Sequence, residues 1–83
     1  MSFLTRRIIL DTLIKHETLT IDDIADPVNL GMSPDMGQLG FLLSELQKAG
    51  HISSLRGVLP KTYTITEKGI DEGKGSRHGG MAY

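Results

Sequence analysis

Between Ser33 and Gly50, Met36, Leu39, Leu42, Leu43 and Leu46 recur at spacings of three and four residues. That period puts them on one stripe of a helix and predicts a buried face. Ser33 is a suitable N-cap, Pro34 suits the first helical position, and Asp35 sets a carboxylate at the positive end of the helix dipole. Gly50 stands where a left-handed terminating residue is wanted. Opposite the leucines lie Gly37, Phe41, Ser44 and Lys48, with Gln38, Gly40 and Glu45 at the edges.

The rest of the chain arranges itself around this helix. From Phe3 to about His16 the pattern is again helical, with Phe3, Ile9, Leu10, Leu13 and Ile14 on one broad face. Leu4 and Ile8 fall outside that face and either widen the buried stripe or form a small self-association surface. Glu17 to Thr20 reads as a connection. Thr20 followed by Asp23 is a variant of the capping box and opens a short helix over Ile21–Ala25, which Asp26 ends because it precedes Pro27. Val28–Met32 is then a connector, with Leu30 and Met32 plugging the core.

After Gly50 the period shortens to two. Ile52 to about Arg56 and Thr62–Thr66 read as the strands of a hairpin, with Gly57–Lys61 between them. Tyr63 and Ile65 share one face of the second strand and three threonines the other. Thr66 can cap a last helical stub whose one apolar side chain is Ile70, and the glycine-rich segment from Gly73 to Tyr83 is expected to be a flexible tail. The expected organisation is one domain over residues 1–72 and a tail over 73–83.

The order helix, short helix, long helix, two-stranded hairpin, helix stub is that of a helix-turn-helix followed by a wing. The run from Gly37 to Ile52, GQLGFLLSELQKAGHI, and the run from Pro60 to Gly69, PKTYTITEKG, resemble the third helix and wing of PadR-like and MarR-like transcriptional regulators. The resemblance covers roughly residues 33–70. It implies an α+β, mostly α fold, a winged helix-turn-helix of three helices and a two-stranded β wing. It further implies a small regulator or accessory factor that binds double-stranded DNA as a dimer.

Composition narrows the function without choosing it. The 83 residues contain no cysteine, which excludes disulfides, thiol catalysis and Cys-ligated zinc. No apolar run approaches the roughly 18 residues of a membrane span, and MSFLTRRIIL lacks the order of a signal peptide. A cytoplasmic protein with no membrane partner is expected. His16, His51 and His78 are far apart and lack metal-ligand spacing, and neither Asp22–Asp23 nor Asp71–Glu72 forms a carboxylate dyad. Gly73-Lys74-Gly75-Ser76 lacks the spacing of a phosphate loop. Neither an enzyme nor a bound cofactor or metal is expected.

The net charge is −1, but it is unevenly spread: residues 1–47 hold three basic and seven acidic side chains, residues 48–83 six and three. Two functions follow from the exposed positions. In the first, the third helix enters the major groove with Gln38 and Ser44 near bases, while Lys48, Arg56 and Lys61 neutralise phosphates, with Arg6, Arg7 or Lys15 assisting. In the second, the same fold binds a protein partner, or a second copy, through Phe41, Val58, Leu59, Leu4 and Ile8. Asp22, Asp23 and Asp26 on the short second helix and its end favour the second, because carboxylates repel phosphate. Gly37 and Gly40 either let another backbone approach closely or make room for neighbouring helices of the same domain.

Overall fold

The first helix begins where a side chain can satisfy its free amides. Thr5 is extended (φ −130°, ψ 163°) and its hydroxyl accepts from Ile8 N–H, so α1 runs Arg6–His16 and not from Phe3. Phe3 is left 69% exposed, against the expectation that it faces the core. Leu4, just before the cap, and Ile9, four residues after it, are both buried in the core, the positions of a hydrophobic staple. That staple turns Leu4 inward and decides between the two readings of this residue. The computed structural model describes residues 3–73. Apart from Gly73, the expected tail lies outside them.

Thr18–Thr20, expected to be a plain connection, forms a strand, β1. Its antiparallel partner is β3 (Thr62–Ile65), with Thr18 opposite Thr64 and Thr20 opposite Thr62. Strand β2 (Ile52–Ser54) lies on the other side of β3, giving a three-stranded antiparallel sheet in the order β1-β3-β2. The Thr18 hydroxyl donates to the Thr64 hydroxyl (3.0 Å), tying positions 46 residues apart. Three residues are too few for a periodic signal, and only the distant partner makes them a strand. Both hairpin strands are shorter than expected, although Leu55 N–H still donates to Thr62 C=O (2.9 Å) just past the end of β2.

Helix α2 (Ile21–Ala25) is capped as its sequence predicts, the Thr20 hydroxyl accepting from Asp23 N–H. The chain leaves the helix at Asp26 but restarts at once. The Asp26 carboxylate accepts from Val28 N–H (3.0 Å) and Pro27 takes the first position of a one-turn helix, α3 (Pro27–Leu30), where the expected connector should lie. Proline stops a helix behind it and fits one ahead of it, because its fixed φ is helical and its absent N–H would be unpaired there.

The central helix, α4, spans Met36–Lys48. Its N-cap is Asp35, whose carboxylate accepts from Gln38 N–H (3.1 Å), and not Ser33. Asp35 matches serine as a cap and adds a charge attracted to the dipole. Starting two residues later puts Met36 in the first turn, 51% exposed and outside the core. Leu39, Leu43 and Leu46 are buried, and Leu42 is half-buried against them. At the other end Gly50 is left-handed (φ 81°), its N–H donates to Gln47 C=O, and His51 N–H donates to Leu46 C=O. Those two bonds form a Schellman motif.

The core joins Leu4, Ile9, Leu10 and Leu13 to Ile24 and Leu30, the three α4 leucines, Ile52 and Tyr63. A last helix, α5, covers residues 67–73. Thr66 starts it: its hydroxyl accepts from Gly69 N–H (3.0 Å) and lies within donating distance of the carbonyls of Gly50 (2.7 Å) and His51 (3.0 Å). Gly73, expected to open the tail, belongs to α5 and is buried. The fold is therefore a small α+β domain with a three-stranded antiparallel sheet.

Candidate nucleic-acid interface

The buried leucines of α4 hold the opposite side of the helix in solvent. Gly37, Gln38, Gly40, Phe41, Ser44 and Lys48 are all exposed. Phe41 is 63% exposed and does not fold back onto α1 or the hairpin. Around Gly40 there is open space, and the nearest neighbour to a Cβ at Gly37 would be the Asp35 carboxylate, 3.6 Å away. Among the described residues neither glycine makes room for another helix. Each costs the helix about 1 kcal/mol relative to alanine with no packing inside the described residues to offset it.

The hairpin is fixed to the helical unit at two points. Gln47 Nε2 donates to Ser54 Oγ (3.1 Å), joining the end of α4 to β2. Ile21 N–H donates to the carbonyl of Lys61 (2.8 Å), pinning the other side of the hairpin to the start of α2. Arg56 and Lys61, on either side of the tip, are both exposed. Lys61 is partly directed: its ammonium sits 5.6 Å from the ring centroid of the buried Tyr63, a cation–π distance. Between them Val58 is 42% and Leu59 93% exposed, so neither folds under the hairpin.

Cations and carboxylates are differently distributed around this surface. The Lys48 ammonium lies 3.9 Å from the Glu45 carboxylate, and both are open enough to water for the pair to hold loosely. Asp22, Asp23 and Asp26 are exposed on α2 and its end. Arg6 and Arg7 point elsewhere. With Glu45, His51 and Glu72 they line a groove of about 340 Å³ between α1 and the C-terminal end of α4, and Arg7 Nε also bonds both oxygens of Asp11 at 3.1 Å. That groove mixes both signs and does not extend the cationic edge of the hairpin. His51 lies 3.9 Å from Glu72, and among the described residues no three His, Asp or Glu side chains come together as a metal site.

No protein-family model matches the chain, and no curated protein matches its sequence. Function rests on the geometry. The structure brings Gln38, Phe41, Ser44 and Lys48 onto one exposed face of α4, and Arg56, Val58, Leu59 and Lys61 are exposed on the hairpin that follows it. It removes Leu4, which is core, and Ile8, which is half-buried against the core, from the candidate contact surface. Met36, expected in the buried stripe, is exposed at the first-turn end of that stripe, on the side of α4 away from Phe41. The signal was present in Asp35-x-x-Gln38, a capping-box spacing that starts the helix after Asp35 and leaves Met36 in its first turn.

Proposed function

We propose that this chain is a winged-helix DNA-binding protein that docks α4 in the major groove and lays its β2–β3 hairpin along the adjacent backbone. The observation that carries the reading is the antiparallel pairing of β1 with β3. It connects the segment after α1 to the hairpin and holds the hairpin against the helical unit, as a wing requires. The exposed glycines of α4 add support, because they let the helix approach a groove closely. In this reading Gln38 and Ser44 reach base edges, and Lys48, Arg56 and Lys61 contact phosphates.

Three phosphate contacts imply weak, salt-sensitive binding, with log K falling against log salt at a slope of about −2.7. Fluorescence anisotropy with a labelled duplex at several salt concentrations measures it. Removing Arg56 or Lys61 should flatten the slope by about one contact each. No binding to any duplex at low salt and tens of micromolar protein would sink the reading.

A second reading is favoured by Leu59 and Phe41, whose large apolar surfaces face water, and by the three carboxylates of α2 and its end. The domain then binds protein, a second copy being the first candidate. Sedimentation in high salt separates the two: a concentration-dependent dimer that Phe41→Asp or Leu59→Asp dissolves supports it, and a monomer at all concentrations rules out self-association.

A further inference from the structure

We infer that the groove between α1 and the C-terminal end of α4 binds a small zwitterion, an aliphatic α-amino acid. Its carboxylate would lie on the α1 side and its ammonium on the side of α4 and α5. The site is separate from the DNA-binding reading and does not depend on it. The groove holds about 340 Å³, at the lower end of the roughly 300–1,000 Å³ of small-molecule sites. Arg6 and Arg7 of α1 line one side, and Glu45 of α4 and Glu72 of α5 also line it. Opposite charges sharing a groove are free to close on each other, yet here they do not. Among the described residues the ion pairs are Arg7 with Asp11, Lys48 with Glu45 and His51 with Glu72, so none joins an arginine to a groove carboxylate.

The four charges are not equally engaged. Arg7 is held within its own helix, its Nε bonding both oxygens of Asp11 at 3.1 Å. Glu45 shares Lys48 at 3.9 Å. Arg6 has no ion-pair partner among the described residues, and Glu72 has only His51 at 3.9 Å, a cation only when protonated. The groove therefore presents one unneutralised guanidinium and one unneutralised carboxylate across a gap. A simple anion entering it would meet two carboxylates, and a simple cation two guanidiniums, and like charges brought together are costly. A body carrying both signs satisfies each side. Between the charges lie Leu10 and Leu46, core residues that also line the groove and suit an aliphatic side chain. The helix dipoles agree with this orientation: α1 brings its positive end, with no acid in its first turn, and α4 its negative end.

The experiment titrates the full chain by calorimetry and follows Tm, which a ligand of the native state raises by mass action. The probes are L-leucine, glycine, 4-methylpentanoate (leucine without its ammonium) and 3-methylbutylamine (leucine without its carboxylate). Leucine should bind about tenfold or more tightly than either single-charge analogue, the worth of one charged hydrogen bond. Glycine has both charges and no aliphatic body, and it should also bind about tenfold or more weakly. Arg6→Gln should erase the advantage of leucine over the amine and keep its advantage over the acid, and Glu72→Gln should do the reverse. Both residues are exposed, and circular dichroism checks that the variants fold. Leucine that does not bind at tens of millimolar overturns the inference. So does glycine or an analogue that binds as tightly as leucine, or a pair of variants that leaves the order of the probes unchanged.

Discussion

Gly69 packs against the backbone of His51 so closely that a Cβ added at Gly69 would overlap the His51 carbonyl oxygen and lie 2.7 Å from Ile65 Cδ1. The same carbonyl accepts from Thr66 N–H (3.2 Å), so it is held where the glycine needs it. Helix α5 lies on the start of β2 because residue 69 has no side chain. Gly69→Ala should destabilise the protein by about 2–3 kcal/mol, the cost of overpacking against a rigid neighbour. Gly73→Ala is the control: among the described residues its Cβ would meet only the end of the Ile14 side chain, which can rotate away. Urea denaturation of both variants tests the contrast, and equal losses would contradict it.

Glu17 carries the one positive φ among the described non-glycine residues, at φ 74° and ψ −61°. Its amide donates to Leu13 C=O and its carbonyl accepts from Ile65 N–H (2.9 Å), so the turn from α1 into β1 is held from both sides. A side chain in this region costs on the order of 1–3 kcal/mol, partly offset in glycine by greater freedom in the unfolded chain. Glu17→Gly should therefore raise stability by about 1 kcal/mol, and Tm by about 4–8 °C for a domain of this size. A lowered Tm would show that the Glu17 side chain contributes more than its backbone strain.

The choice of helix cap can be measured directly. Asp35→Ala removes the acceptor for Gln38 N–H and should cost about 1 kcal/mol. Ser33→Ala touches no helix amide and should stay within about 0.5 kcal/mol of wild type. Chemical denaturation that finds the larger loss at Ser33 would move the start of α4 two residues back.

Gly40 sets stability against function. With open space around it, Gly40→Ala should stabilise α4 by about 1 kcal/mol through helix propensity. If α4 enters a groove, the added methyl sits between backbone and DNA and weakens binding while the protein becomes more stable. Thermal melting and anisotropy on the same sample read both effects. A variant that is more stable and binds equally well would remove Gly40 from the interface.

Much of the architecture could be read one helical turn at a time. Leu39, Leu43 and Leu46 repeat within α4, Thr20 caps α2 from three residues away, and Gly50 closes α4 through bonds to Leu46 and Gln47 nearby. Such signals are local, so the order of residues alone settles them. The candidate face was legible for the same reason: once the leucines are buried, Phe41, Ser44 and Lys48 must lie opposite. Strand β1 was not legible, because Thr18–Thr20 becomes a strand only beside Thr62–Thr64, and the inward turn of Leu4 depends on the staple across the Thr5 cap. The open surroundings of Phe41 and Gly40, and the contact that demands glycine at position 69, likewise depend on which elements meet. The sequence by itself determined that α1, α2 and α4 exist and which leucines and isoleucines line their buried sides, since side-chain period acts over a few residues, but not the one-turn helix α3 or the starts of α1 and α4. Only the tertiary structure decided the third strand, the fate of Leu4 and Phe41 and the close approach at Gly69, since each depends on a partner the local pattern does not specify.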